Sequence, residues 1–246
     1  MTLHITPIPL FSDNYAWLLR DSATGATAVV DPADAGPVEA AVMAAGGRLD
    51  LILLTHHHAD HVAGTDAIRE KFGAKVLGAA ADAHRLPKLD RGLKEGDPVA
   101  VGDVKGLVLE TPGHTLGHIS FYFPAGSPAD RPALISGDTL FSLGCGKLLE
   151  GTAADMFGSL QKFAKLPDDT LVYCGHEYTA SNARFALTVE PDNAMLQGRA
   201  AEVSRLRAAG EPTVPSTLGE EKAANPFLRA GSVEALARIR AAKDRF

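Results

Sequence analysis

Cysteine is scarce in this chain of 246 residues, where Cys145 and Cys174 are the whole supply. Two thiols cannot build a disulfide framework, and neither belongs to a closely spaced pair of the kind that closes a zinc knuckle. Both read as reduced thiols, the state that fits the cytoplasm. Long apolar runs are missing as well. No stretch approaches the ~18 apolar residues that a membrane span requires. The start MTLHITPIPLF has no basic segment leading into an apolar core and a small-residue cleavage site. The expectation is an unprocessed, soluble protein. Positive charge is in slight deficit, with 24 Lys and Arg against 30 Asp and Glu for a net of −6. A nucleic acid or an anionic membrane demands a broad cationic surface, so neither is expected as a partner. There is no internal repeat of solenoid period and no low-complexity tract.

What the chain does have is enough apolar sequence, 46% of residues against 22% charged, to bury a substantial core in one large domain or two unequal ones. The first two-thirds consists of short apolar or β-branched runs punctuated by Gly, Pro and Asp: AWLLRD, TAVVDP, DLILLTH, AKVLGA, VKGLVLETPGH, HISFYFP, PALISGD and TLVYCGH. These predict strands ending in turns. Helical patterns lie between them at Pro37 to Ala45, Thr65 to Phe72 and Thr152 to Lys165, the last opening with Thr152 and Asp155 as a cap. Strands alternating with helices indicate an α/β or mixed sandwich core. After about residue 176 the texture changes: Tyr178 to Val189, Ala194 to Ala209 and Ser232 to Arg245 are rich in Ala, Leu and Arg at helical spacing, with no strand-like run. A small helical domain is expected there. The proline-containing segment GEPTVPSTLGEEKAANPFLRAG should cross between its last two helices as an ordered loop.

The run LDLILLTHHHADHVAG, residues 49 to 64, passes from apolar sequence into four histidines and an aspartate. In an extended segment His56 and His58 point to one side and His57 to the other. A turn into a helix at Asp60 and His61 would bring those two back beside the first pair. Three further strand-like runs end alike, at His114, Asp138 and His176, so four endings could converge on one edge of a sheet. Gly113, Gly137 and Gly175 precede three of these side chains, consistent with sharp turns. Imidazoles and carboxylates suit zinc, iron or manganese. Five histidines and two aspartates exceed the three protein ligands typical of a catalytic zinc, so the set suggests a two-metal centre. His4, His57, His84 and His118 are assigned ordinary structural roles, although His118, in GHTLGH, is placed to support the site from behind.

These seven residues, in that order, resemble the metal motif of the metallo-β-lactamase superfamily. Closer still, FSDNYAWLL, THHHADHVAG, TPGHTLGH, SGDTLF, GCGKLLEGT, CGHEYT, NPFLR and the ending KDRF are similar to the glyoxalase II (hydroxyacylglutathione hydrolase) family, over nearly the whole chain. The resemblance implies an α/β fold, an αββα sandwich of the metallo-β-lactamase type over residues 1–175, with a smaller all-helical domain over 176–246 that binds glutathione. It implies hydrolysis of S-D-lactoylglutathione to D-lactate and glutathione; separately, a monomer or weak homo-oligomer is expected. It assigns His56, His58 and His114 to one divalent ion and Asp60, His61 and His176 to another, with Asp138 and a hydroxide bridging them; zinc comes first, iron and manganese as alternatives. Around the bound glutathione it places Lys147, Tyr178, Asn225, Arg240 and Lys243. Two departures stand out: Leu149 replaces an aromatic residue found in several members, and the segment before the last helix is short.

The chemistry agrees with the assignment. Metal coordination lowers the pKa of water from ~15.7 toward ~7, which supplies a nucleophile and an oxyanion partner without a protein base. Cys145 as covalent nucleophile lacks a histidine and acid not already claimed by the metals. The alternatives are an iron-dependent persulfide dioxygenase, another hydrolase of the same fold acting on a lactam or lactone, and a non-enzymatic metal-binding module.

Overall fold

The computed structural model describes residues 2–124 and 131–246. One sheet holds β1 (Leu3–Leu10), β2 (Asn14–Asp21), β3 (Thr27–Val30), β4 (Leu51–Leu53), β5 (Lys75–Ala79) and β6 (Arg91–Leu93), each strand beside its predecessor. The first three are antiparallel and the rest run parallel. Parallel neighbours need crossovers, supplied between β3 and β4 by α1 (Ala35–Ala44) and between β4 and β5 by α2 (Ala59–Val62) and α3 (Thr65–Phe72).

The chain then lays down β7 (Pro98–Val101), β8 (Val104–Glu110), β9 (Ile119–Phe123), β10 (Ala133–Gly137), a small hairpin of β11 (Leu140–Phe141) and β12 (Gly144–Cys145), α4 (Ala153–Ala164) and β13 (Leu171–Cys174). It finishes with α5 (Thr179–Val189), α6 (Ala194–Ala208), β14 (Ser216–Thr217), α7 (Leu218–Ala224) and α8 (Val233–Lys243). The second sheet has the order β14-β13-β10-β9-β8-β7.

Successive residues of a strand face opposite ways, and β10 shows what lies on each side. Ala133 and Ile135 join a core shared with Trp17, Leu19, Ile52 and Leu53 of the first sheet, whereas Leu134 packs with Met156, Phe163, Phe227 and Leu236 of the helical side. The layers therefore run helix, sheet, sheet, helix. That explains why TAVV and ALISG are buried along their whole length. Trp17 ties the sheets together by donating from Nε1 to the Cys174 carbonyl at 2.9 Å. Thr152 and Asp155 form the expected capping box of α4. No helix among the described residues is long and apolar enough to cross a membrane.

Three features depart from the sequence reading. β1 went unread because Pro7 and Pro9 interrupt it; both are tolerated because β1 is an edge strand. The crossing segment is not only loop, since it contains α7, closed by a capping box of Thr217 and Glu220. Nor is the C-terminal region free of strand: Ser216 and Thr217 pair with Val172 and Leu171 at the edge of the second sheet.

Candidate metal centre

Nitrogens from three strand ends and a short helix meet at one edge of the sandwich. His56 Nε2 and His114 Nε2 each lie 3.0 Å from His58 Nδ1. Beside them, His61 Nε2 and His176 Nε2 are 3.3 Å apart, and Asp60 Oδ2 stands 3.9 Å from the first and 3.6 Å from the second. Asp138 joins the two groups. Its Oδ2 is 3.5 Å from His114 Nε2 and 3.4 Å from His176 Nε2, while Oδ1 is 3.5 Å from His61 Nε2. All seven residues singled out in the sequence thus meet in two clusters that share one carboxylate.

The outer hydrogen bonds decide what the inward nitrogens can do. His114 Nδ1 donates to the Lys147 carbonyl at 2.8 Å, His61 Nδ1 to Asp31 Oδ2 at 3.0 Å, and His176 Nδ1 to Asp13 Oδ1 at 3.0 Å. His56 Nδ1 donates to Thr55 Oγ1 at 3.0 Å, which passes its own proton to Asp31 Oδ2 at 2.7 Å. These four rings are held with their protons outward, so their inward nitrogens carry lone pairs. The lone pairs of His61 and His176, facing each other at 3.3 Å and facing the carboxylates of Asp60 and Asp138, repel unless a cation lies between them. Asp138 Oδ1 is buried and has no hydrogen-bond partner among the described residues, as expected of an atom awaiting such a cation. The donor set, imidazole and carboxylate only, suits a divalent metal. A third grouping, Asp31 with His56 and His61, has metal-compatible spacing. Asp31 is already committed there: it accepts from Thr55 N, Thr55 Oγ1 and His61.

The clustered carboxylates and imidazoles shift one another's titration. Burial opposes charge on Asp138, yet His61 and His176 hold its carboxyl well below the usual range. Burial also opposes the imidazolium of His61, but Asp138 and Asp31 push its pKa up, and Asp138 does the same for His176. His56 goes the other way, driven down by burial and by His61.

Glycine explains how the strand ends deliver their ligands. Gly137 adopts φ 51°, a left-handed turn just before Asp138. Gly175 bends the chain for a different reason. Its φ is not positive; instead a Cβ there would overlap Asp138 Oδ1 and come within 2.7 Å of His61 Cε1. His118 supports the site from behind. It accepts from the Asp138 backbone N–H at Nε2 (3.0 Å) and contacts Thr111 Oγ1 with Nδ1 at 2.9 Å. His57 turns away from the centre toward Asp82 Oδ2, 3.2 Å distant.

The residues associated with glutathione fall into two sets. Lys147 is exposed, Tyr178 stacks on His176 with centroids 4.5 Å apart, and the Lys243 ammonium sits over Phe185 and Phe246 while donating to the Ser181 carbonyl at 3.3 Å. Asn225 and Arg240 point inward. Asn225 is fully buried, and its amide donates to the Phe141 and Gly144 carbonyls. Arg240 is 7% exposed and binds the Cys145 carbonyl and Asp244. Cys145 itself is buried, and burial pushes its thiol up to about 11, which suppresses the thiolate a nucleophile needs.

Sequence reasoning missed Asp13, Asn14, Thr55 and Asp31. Asn14 Nδ2 donates to Asp60 at both its carbonyl (3.0 Å) and Oδ2 (3.1 Å). A signal existed for Asp31: the apolar run of TAVVDP is followed by an acid, as in PALISGD, and Asp31 adopts φ 52°, a strained backbone common at functional sites.

Residues 11–176 match the family model of the metallo-beta-lactamase superfamily, and residues 177–246 match that of the hydroxyacylglutathione hydrolase C-terminus. A hydroxyacylglutathione hydrolase of Jannaschia sp. (strain CCS1) is 54% identical over 256 residues, covering 98% of each chain. One of Acidiphilium cryptum (strain JF-5) is 55% identical over 242 residues, covering 98% of this chain and 96% of its own. Among solved structures, ETHE1 from Myxococcus xanthus superposes with a TM-score of 0.71 at 26% identity, covering 98% of this chain and 90% of its own. TTHA1623 in a di-iron-bound form gives 0.58 at 29%, covering 70% and 91%. With both family models matched end to end and relatives of this identity along the full length, the chain belongs to the hydroxyacylglutathione hydrolase family of the metallo-β-lactamase superfamily.

Proposed function

We propose that this chain is a metal-dependent thioester hydrolase that cleaves S-D-lactoylglutathione, and related S-2-hydroxyacylglutathiones, to the hydroxy acid and glutathione. The observation that carries the reading is the Asp138 carboxylate standing between a cluster of three imidazoles and a cluster of two imidazoles and a carboxylate. His56, His58 and His114 would hold one divalent ion, Asp60, His61 and His176 a second, with Asp138 reaching both; zinc is the first choice. The di-iron form of TTHA1623 supports a pair of ions in this fold. Bound there, the ions supply an ionised water near neutral pH and Lewis-acid pull on a carbonyl.

The chain's own groups do the rest. Asp31, Asp13, Thr55 and the Lys147 carbonyl keep the ring lone pairs inward. His118 holds Asp138 in line through its backbone N–H. Tyr178 offers an exposed phenol beside His176. Lys147 and Lys243 would offer ammonium groups to the two carboxylates of glutathione. Residues 1–175 would form the catalytic part and residues 176–246 the part that binds glutathione. Two buried, free thiols fit a cytoplasmic setting.

Purified protein should hydrolyse S-D-lactoylglutathione with two metals per chain, and His58→Ala should abolish turnover. Fully metallated protein without thioesterase activity would sink the reading. Oxygen uptake with glutathione persulfide would transfer the site to the dioxygenase alternative.

A further inference from the structure

One buried turn of the catalytic part is gripped almost atom by atom by side chains from beyond residue 176. Residues 141–146 are buried, and the chain surfaces at Lys147. Asn225, just after α7, donates to the Phe141 carbonyl at 3.1 Å and the Gly144 carbonyl at 3.0 Å. Asn182 of α5 donates to the Ser142 carbonyl at 3.1 Å, and Glu221 of α7 accepts from the Leu143 N–H at 2.8 Å. Arg240 of α8 donates to the Cys145 carbonyl at 3.0 Å. Every residue from 141 to 145 is held this way, with Leu143 at φ 59°, a backbone state that a non-glycine residue keeps only when its surroundings impose it.

The turn leads straight to the metal centre. The Gly146 N–H donates to the Thr139 carbonyl at 3.3 Å, beside Asp138. One residue on, the Lys147 carbonyl accepts from His114 Nδ1 at 2.8 Å. That bond sets the tautomer and direction of His114, and loss of such an outer partner typically weakens a metal site about 10–100-fold.

We infer that the C-terminal helices act as a clamp on the metal centre: Asn182, Glu221, Asn225 and Arg240 fix the turn at 141–147, and the turn aims His114 through the Lys147 carbonyl. Asn225 and Arg240 then act as positioning residues through the carbonyls they hold. Their polar atoms fit this role. The rest of the Arg240 guanidinium is occupied by Asp244, with Nε at 3.0 Å and Nη2 at 2.8 Å, and stacks over Phe227. Asn225 Oδ1 accepts from the Phe227 N–H at 3.0 Å. The inference rests on the proposed metal centre but not on the identity of the thioester.

The test uses full-length protein stripped of metal and titrated with Co2+ under chelator competition, alongside binding of S-methylglutathione, which cannot be hydrolysed. Asn225→Ala and Arg240→Met break the clamp. Glu221→Gln and Arg240→Lys are milder partners should either fail to fold by circular dichroism. Val203→Ala, on the buried face of α6, is a destabilised control at a residue that makes none of these hydrogen bonds. The clamp predicts about tenfold or greater loss of affinity for one of the two cobalt ions and an altered visible cobalt spectrum, with Arg240→Lys closer to wild type and Val203→Ala unchanged. Wild-type cobalt affinities and spectra in the folded clamp variants, with only S-methylglutathione binding weakened, would overturn it. So would an equal cobalt defect in Val203→Ala. Absence of thioesterase activity in the wild-type protein would defeat the hydrolase reading yet leave this titration as informative as before.

Discussion

Substitution of Asp31 by Asn isolates what an outer carboxylate does for a metal ligand. The side chain keeps its shape, and Asn tolerates the left-handed φ of 52° that Asp31 adopts. What changes is acceptor capacity. Oδ1 accepts from the Thr55 N–H at 2.9 Å, while Oδ2 accepts from Thr55 Oγ1 at 2.7 Å and from His61 Nδ1 at 3.0 Å. An amide has one acceptor oxygen, so whichever way it turns, its NH2 faces a donor. If it faces His61, the ring is driven to the opposite tautomer and presents a proton inward where a lone pair is needed. A buried unsatisfied donor costs about 1–3 kcal/mol, in line with the roughly 10–100-fold loss of metal affinity typical of outer-partner mutations. Asp31→Asn should therefore bind one of its two ions about 10–100-fold more weakly and lose activity that excess metal restores. Metal analysis after graded chelation, with kcat measured across added metal, reads both effects. Two ions held as tightly as in wild type would refute the tautomer argument.

Three further outcomes follow from the geometry. Lys243→Ala should chiefly raise KM with kcat nearly preserved, because the ammonium lies beside Ser181, not among the metal-binding atoms; steady-state kinetics decides, and an equal fall in kcat would place it elsewhere. Gly146→Ala should lower metal content and turnover together, since a Cβ there overlaps the Asp138 carbonyl and comes within 3.1 Å of His114 Cβ; metal analysis checks it against a fully loaded variant. Cys145 and Cys174 should resist a thiol reagent at pH 8 in the native protein and react once it is denatured. Burial pushes their pKa values up to about 11 and about 12, so thiolate is suppressed as well as shielded.

The metal motif was legible because its parts are local: His56, His58, Asp60 and His61 lie within one strand end and the helix that follows, and His114, Asp138 and His176 each follow a strand-like run. Their outer partners were not. Asp31 meets His61 because β3 and β4 are neighbours, and Asp13 meets His176 across two sheets, relations that no spacing in sequence expresses. Asn225 and Arg240 were legible as important, but not the direction in which they point, because a motif names a residue without saying which way its side chain turns. Prolines concealed structure as well. Pro7 and Pro9 hid an edge strand, and Pro212 and Pro215 hid α7, although the Thr217 and Glu220 cap was there to be read.

Anomalous diffraction from crystals grown with zinc, recorded on either side of the metal's absorption edge, tests the central claim most directly. The account predicts two peaks per chain, one among His56, His58 and His114 and one among Asp60, His61 and His176, with the Asp138 carboxylate between them. A single peak, or ions bound away from Asp138, would contradict it.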